Sequence, residues 1–400
     1  MTVMPDALVQ SRAPTSFSVT QLALAEECLL KGVLASARAQ PSLGLHPVAV
    51  LGSVFHRLLE KSVRGEIQRA GNVREDIERV LSAMLDEEDG RLAQAWPDED
   101  PPRLSAVHPP LTWRKKRRMV LDAAEKYLTA AVPRISTARS PTYSAHTLPA
   151  VGRWAEFMLD APSLRLHGKV DLLERASDVI VIRDLKSGRV VGHDGVMLPR
   201  IERQMRLYGA IAATLWPASR IRLIVDHGAE FEVAFDKVHE TEVQEWLQQK
   251  LNRLPAESVF ETTKIATPGV ACDGCSCRHL CPAYREVAVE CWRGDSPARM
   301  PLDTWGEVRS VAQRSGGRTD LTIRDAAGRM VKVFGLASFR VSTVRVGEKV
   351  WIFGLRTEEK RGGPGVWHQP RNFFEISDDD PFGRAWAVAV FCESVPDEPR

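Results

Sequence analysis

The chain of 400 residues is 44% hydrophobic and 26% charged, an ordinary globular composition able to bury a sizeable core in roughly two to three domains. Its 54 Lys and Arg face 52 Asp and Glu for a net charge of +2, which excludes a general polycation and leaves any nucleic-acid surface to local clustering. No run approaches the roughly 18 apolar residues of a membrane span, and Met1 to Thr20 lacks a continuous apolar core, so a membrane or secretory chain is not expected. A cytoplasmic location follows as the expectation, and the seven cysteines then read as metal ligands or core residues before disulfides.

From Ser16 to about Gln68 the pattern is helical, with one apolar stripe through Leu22, Leu24, Leu29 and Leu30 and another through Leu51, Val54, Phe55, Leu58, Leu59 and Val63. Val73 to Ala131 is again helical, broken by an acidic, proline-bearing stretch at Asp98 to Pro102, and reads as an inserted lobe. Within it Trp113 is followed by five consecutive cations, Arg114, Lys115, Lys116, Arg117 and Arg118. A solvated helix face is the default for such a run, yet five successive residues exceed one turn, so part of it must face the neighbouring lobe or a polyanion such as a phosphate backbone.

After Pro149 the period changes to two. Leu164, Leu166, Gly168, Val170 and Leu172 alternate with polar neighbours, and Val179 to Leu185 reads as a more buried strand beyond a polar turn. A helix over Arg200 to Leu215, strands at Ile221 to Asp226 and Phe231 to Phe235, and an amphipathic helix through Val243, Leu247 and Leu251 complete a mixed α/β order. A Gly/Ser/Pro stretch at Arg293 to Pro301 predicts a linker. Beyond it, strands near Trp305 to Gln313, Thr319 to Arg324, Met330 to Leu336, Lys349 to Arg356 and Val366 to Ile376 predict a small closed barrel. Phe334, Trp351, Phe353, Trp367 and Phe373 are its available aromatics, as stacking platforms or simply as core.

Asp184 and Lys186 sit two apart and so project from one side of a strand, and Asp171 can reach that side across a hairpin. Two carboxylates beside an ammonium suit a divalent hard cation, although a lone D-x-K is more often a surface ion-pair cluster. Gly52, His56 and Glu60 line one ridge of a helix, from which His56 can offer an imidazole nitrogen, and Gln204 and Tyr208 fall one turn apart on the helix after the strands. The competing readings are a structural histidine and a tyrosine packed into the sheet. Cys272, Cys275 and Cys281 cluster in sequence, with Cys28 as a fourth thiolate from the other end of the domain and Cys277 as a rival third ligand. Four thiolates suit zinc as well as a cubane cluster, and Cys291 and Cys392 read as ordinary thiols.

Taken together, Gly52-x-x-x-His56, Gly168-x-x-Asp171, Asp184-x-Lys186 and Gln204-x-x-x-Tyr208 resemble, in order, the RecB-like branch of the PD-(D/E)XK nucleases, which includes AddB nuclease domains and CRISPR-associated exonucleases. Cys28 with C-x2-C-x5-C at Cys272, Cys275 and Cys281 resembles its iron–sulfur members. The resemblance covers about residues 16 to 285. It implies a restriction-endonuclease-like α/β core, a mixed central sheet flanked by helices, as a nuclease domain over 1–295 with a helical insertion at about 70–148. An OB-fold-like domain over 302–378 and a tail over 379–400 follow. By that resemblance His56, Asp171, Asp184 and the Leu185 carbonyl hold Mg2+ or Mn2+, Lys186 is the catalytic lysine, and Gln204 and Tyr208 position substrate. Glu156 matches an acidic position one strand earlier. The cysteines hold a 4Fe-4S cluster, with zinc as the alternative. The implied activity is exonucleolytic cleavage of single-stranded DNA or DNA ends in repair or defence, with a helicase or other repair or defence protein as partner. No Walker A sequence is present, so no ATP motor is implied. A catalytically silent nucleic-acid-binding scaffold and a zinc-stabilised RNA-processing nuclease are the alternatives.

Overall fold

The structure is a computed structural model that describes residues 2–3, 14–37, 47–95, 103–108, 110–130, 149–192, 194–254, 264–272, 275, 277–284, 286–287, 302–324, 328, 330–355, 373–375 and 389–392. The first elements are strands β1 (Thr2–Val3) and β2 (Phe17–Ser18), then helices α1 (Val19–Ala23), α2 (Leu29–Ala37), α3 (Pro47–Arg64), α4 (Val73–Ala95) and α5 (Pro110–Thr129). Ser18 starts α1 because its hydroxyl accepts from the Gln21 N–H at 3.2 Å. The proline-bearing break expected at Asp98 to Pro102 lies outside the described residues.

Next come β3 (Gly152–Ala161), β4 (Leu166–Ala176), β5 (Val179–Leu185), α6 (Pro199–Leu215), β6 (Arg220–Asp226), β7 (Glu230–Val233) and α7 (Lys237–Asn252). They form a mixed sheet in the order β2–β4–β5–β6–β7, with β3 also on β4. β5 and β6 run parallel, while β4 pairs antiparallel with β3 and β5. Adjacent residues of one strand serve opposite layers, as the two-residue period requires. Leu173, Ile180 and Ile182 pack with α1, α2, α6 and α7, whereas Leu172, Leu185 and Ala155 pack with α3, α4 and α5. A sheet buried on both faces explains why β5 reads as a nearly continuous apolar run.

One topological detail positions the site. On one edge β4 is paired with β3 along its length; on the other it pairs with β2 only at Leu166 and His167 and with β5 only from Leu172 onward. The sheet therefore forks over Gly168 to Asp171, with β2 leaving on one side and β5 ending on the other.

The C-terminal strands are β8 (Leu302–Arg314), β9 (Arg318–Arg324), β10 (Met330–Ala337), β11 (Lys349–Leu355), β12 (Phe373–Glu375) and β13 (Ala389–Cys392). They make a separate curled sheet, mostly antiparallel, in the order β1–β13–β11–β8–β9–β10–β12. Four of the five expected strands coincide with β8 to β11, and of the fifth the described part is Phe373–Glu375. Two further strands come from the chain's ends: β13 lies within the stretch expected as a tail, and β1 joins it in parallel. Strands of two and four residues carry too little alternation to be read from sequence.

Candidate active site

The side chains at the fork come from four elements. Asp184 is the sixth residue of β5, Lys186 follows the strand's last residue, Asp171 lies on β4, and His56 lies on α3. The β4–β5 register pairs Leu172 with Arg183 and, carried one step further, sets Asp171 beside Asp184; the β3–β4 register likewise sets Glu156 beside Asp171. Three carboxylates thus form a row across three strands. Lys186 Nζ lies 2.7 Å from Asp184 Oδ2, and His56 Nδ1 lies 3.4 Å from Asp171 Oδ1. The Leu185 N–H, at the very end of β5, donates to Asp171 Oδ2 at 2.6 Å.

Gln204 locks the acidic and basic groups together. Its amide nitrogen donates to Asp184 Oδ1 at 3.2 Å and its amide oxygen accepts from Lys186 Nζ at 3.1 Å. Tyr208, one turn further along α6, closes the fork: its hydroxyl donates to the Lys169 carbonyl at 3.0 Å, in the stretch of β4 flanked by neither β2 nor β5. A Cβ on Gly168 would come within 2.6 Å of the Tyr208 ring, which gives a steric reason for glycine there. Gly52 lets α3 approach the end of β5, since a Cβ there would meet the Ser187 hydroxyl at 3.3 Å.

Burial decides the electrostatics. Asp184 is 4% exposed, and desolvation raises its pKa against the opposing pull of Lys186, with the Asp171 charge adding to the rise. Burial pushes Asp171 up too, but the His56 hydrogen bond and charge, the Leu185 N–H and Lys186 hold it below the usual carboxylate range. For His56 desolvation works toward a lower pKa, and the hydrogen bond and charge of Asp171, with Asp184 behind it, leave it raised. Burial also raises Glu156, with Lys169 opposing as its ion-pair partner. Hard oxygen and nitrogen donors gathered around two neighbouring carboxylates, one of them buried, suit a divalent cation. Among the described residues no three His, Cys, Asp or Glu side chains are close enough to hold a metal ion as they stand. Lys186 and the Leu185 N–H occupy the acidic oxygens instead.

Several participants escape the sequence patterns. The Thr20 hydroxyl lies 3.3 Å from the Gln204 amide nitrogen and 3.4 Å from the Tyr208 hydroxyl. His227 donates from Nδ1 to the Lys186 carbonyl at 2.7 Å, and the Lys186 N–H donates to the Asp226 carbonyl at 2.9 Å, extending the β5–β6 ladder past Leu185. Asp226 is itself buried and accepts from the Tyr127 hydroxyl at 2.6 Å. Only the dipeptide Asp226-His227 at a strand end signalled these.

The basic run on α5 divides. Lys116 turns inward and donates to the Ser187 carbonyl, Arg117 pairs with Glu78 at 3.2 Å and Arg118 with Asp122 at 3.7 Å, while Arg114 and Lys115 are exposed. Lys116 therefore ties the helical lobe to the loop beside Lys186.

Cys28, Cys272, Cys275, Cys277 and Cys281 all line one cavity. The Cys28, Cys272 and Cys281 sulfurs accept backbone N–H groups of Thr267, Gly269 and Tyr284, each at 3.4 Å, and at Cys272 and Cys281 these bonds oppose the rise that burial imposes on the thiol. Burial nonetheless pushes the Cys275 thiol up to about 12 and Cys281 up to about 11 in the absence of a cation. α2 is stitched to the same segment by Leu30 N–H to the Ile265 carbonyl at 3.1 Å. Cys291 and the Cys392 side chain lie outside the described residues.

Of the aromatics expected in a closed barrel, Trp351 and Phe353 lie in the core of the curled C-terminal sheet and Phe334 is half-buried. Trp351 stacks on Trp305 with ring centres 4.5 Å apart, and Phe353 is fully buried edge-on to His279 at 6.0 Å, so this face is packed on the cysteine segment. Trp367 and the Phe373 side chain lie outside the described residues.

A family model described as the PD-(D/E)XK nuclease superfamily matches residues 16–282. The chain belongs to the PD-(D/E)XK nuclease superfamily. Its matched span holds the fork, its charged side chains and the five cysteines of the cavity, and membership carries with it metal-dependent nuclease chemistry on a nucleic-acid substrate. No curated protein matches this superfamily member. Among solved structures it is similar to one titled "Crystal structure of SSO0001", at 14% identity over 57% of this chain and 96% of that chain, with a TM-score of 0.22, a likeness too loose to inform the fold. Among the described residues no helix is long and apolar enough to cross a membrane.

Proposed function

We propose that this protein is a metal-dependent DNA nuclease of the RecB-like branch, acting as an exonuclease on single strands or DNA ends in repair or defence. The observation that carries the reading is the convergence of His56, Asp171, Asp184, Lys186 and Gln204 at one fork of the sheet. A scaffold that only bound nucleic acid would have no use for a buried carboxylate held against a lysine beside a second, half-buried one, because burying charge costs several kcal/mol per ion, roughly, unless it is compensated.

In this reading His56, Asp171, Asp184 and the Leu185 carbonyl hold Mg2+ or Mn2+. When bound, the ion polarises a phosphoryl oxygen and lowers the pKa of a water. Lys186, aligned by Gln204, offers its ammonium to the charge that develops on the phosphate. Gln204 and Tyr208 hold the strand ends that carry these groups, and Thr20 braces both. Arg114, Lys115, Lys116, Arg117 and Arg118 put a positive helix beside the site, with Arg114 and Lys115 available to a DNA backbone.

The cysteines hold a 4Fe-4S cluster in this proposal, with Cys28, Cys272, Cys275 and Cys281 as ligands and zinc as the competing occupant. The shared cavity and the N–H donors to sulfur support it, and Cys277 on the same cavity remains the rival ligand. We assign the nuclease domain to 1–295 with its helical insertion at about 70–148, and an OB-fold-like domain to 302–378, with β1 and β13 extending its sheet. The β8–β9–β10 meander, with β11 on the far side of β8 and β12 on β10, supports that topology. With its aromatic face packed inward, the barrel braces the cysteine segment, and its remaining faces are left to a helicase or other repair or defence partner.

The test is cleavage of end-labelled single- and double-stranded DNA with Mg2+ or Mn2+, beside Lys186→Ala. Metal-dependent shortening from an end, lost in the variant, is expected. Equal activity in Lys186→Ala would remove the mechanism.

A further inference from the structure

Lys186 borders two cavities of opposite character. One, between α3 and α5, is walled mostly by apolar groups such as Phe55, Leu59 and Val120. The other, about 150 Å³, lies between α1, the loop after β5 and the start of α6, and is lined by Thr20, Lys186, Arg189, Arg200, Ile201 and Gln204 among others. No carboxylate is among its lining residues, whereas three cations are.

Lys186 is paired with Asp184, but Arg189 and Arg200 are not consumed by structural pairing. Arg189 is exposed and uses Nε on the Val191 carbonyl at 2.9 Å, and its two terminal nitrogens donate to nothing among the described residues. Arg200 is also exposed and has one loose ion pair, with Glu27 at 3.7 Å. The nearby Arg203 is committed to Glu26 at 3.3 Å and to the face of Trp246. The cavity also opens at the positive end of the 17-residue helix α6. Two adjustable guanidiniums, a hydroxyl and an amide around a recess of this size form a cradle for a tetrahedral anion.

We propose that this cavity seats the backbone phosphate adjacent to the cleaved one, held by Arg189 and Arg200 with Thr20 at its side. Lys186 is part of the cavity wall, so an anion there is the neighbour of the group Lys186 serves. The ligand is a phosphate within a nucleic-acid strand rather than a free anion. That identification rests on the nuclease reading; the binding site itself stands on the cavity and its cations.

The experiment is fluorescence anisotropy of a labelled single-stranded oligonucleotide in EDTA over a salt series. Wild type is compared with Arg189→Ala, Arg200→Ala, the double variant, and Arg222→Ala, whose guanidinium pairs with Glu232 on the far sheet edge. Both cavity arginines are exposed, so the fold should survive their loss. The double variant is expected to bind about tenfold more weakly, with a salt slope shallower by about 0.7, the value for one phosphate contact on a single strand. Arg222→Ala should match wild type. Unchanged affinity and slope in the double variant would overturn the subsite even if the wild type cleaves DNA. Loss of binding as expected, in a protein that cleaves nothing, would keep the subsite and remove the nuclease reading. Inorganic phosphate should compete only as far as its ionic strength does. Saturable phosphate binding that is lost in the double variant would reassign the cavity to a free anion and overturn the proposal.

Discussion

Removing Asp303 tests whether the cysteine segment and the C-terminal sheet are one structural unit. Asp303 is the second residue of β8 and is fully buried. It accepts from Arg278 Nε at 2.8 Å and Nη2 at 3.2 Å, and from the Tyr284 hydroxyl at 2.5 Å. The same guanidinium donates to the Cys275 carbonyl at 3.3 Å and lies over the Phe353 ring at 5.9 Å. Asp303→Ala leaves a cation that is 8% exposed without its counter-ion, which costs about 3–5 kcal/mol. At about 2–4 °C per kcal/mol for a large domain, the thermal transition should fall by roughly 6–20 °C. Thermal denaturation beside thiol titration of the native protein is the assay, with faster modification of Cys275 expected. Arg278→Met combined with Asp303→Leu should recover much of the loss, because replacing both members of a buried pair by apolar groups is often near neutral. A shift under 2 °C, roughly, together with additive effects in the double variant, would refute the coupling.

Lys186→Ala and Asp184→Ala should each abolish cleavage while leaving oligonucleotide binding largely intact, measured as product formation and anisotropy on the same preparations. Purified anaerobically, the protein should be brown with broad visible absorption, and a colourless, zinc-loaded preparation with full activity would exclude the iron–sulfur assignment. Gly168→Ala should displace the Tyr208 ring, lowering stability by about 1–3 kcal/mol in chemical denaturation and impairing cleavage alongside. At Glu156, whose φ of 54° is left-handed within a strand, the glycine variant should be more stable than the alanine variant by about 1 kcal/mol, reversing the usual order in strands; the ordinary order in denaturation would show that the backbone there is unstrained.

Much of the nuclease core was legible from period alone. Val179 to Leu185 coincides with β5 and Arg200 to Leu215 with all but one residue of α6, because both are long, strongly patterned and end at polar or Pro/Gly-bearing turns. The spacing within Asp184-x-Lys186 and Gln204-x-x-x-Tyr208 also translated directly, since each lies on one element with a fixed repeat. What spacing could not reveal was contact between elements. Thr20 is an unremarkable threonine in sequence and joins the site only because β2 leaves the sheet at the fork. The division of Arg114 to Arg118 into inward, paired and exposed cations depends on where Ser187 and Glu78 fall around α5. The C-terminal aromatics allow both readings in sequence, and only the packing of Trp351 on Trp305 and of Phe353 on His279 decides for core at those positions.

The fork explains why the chemistry gathers where it does. A continuous ladder would satisfy every backbone group of β4 and leave no reason for a polar side chain to enter the sheet. Where β2 and β5 part, the Lys169 carbonyl and the Leu185 N–H fall at the gap, and side chains meet them: Tyr208 serves the first and Asp171 the second. Each bond draws a charged or polar group into a buried place, where it needs a partner in turn, and the chain supplies His56 for Asp171 and Lys186 with Gln204 for Asp184. The strained backbone of Glu156, in the row beside Asp171, fits the same logic, since a left-handed residue within a strand persists only when its surroundings hold it there. An interruption of backbone pairing thus gathers a buried carboxylate and two half-buried ones in one place, and such a cluster is the kind of place a divalent cation stabilises.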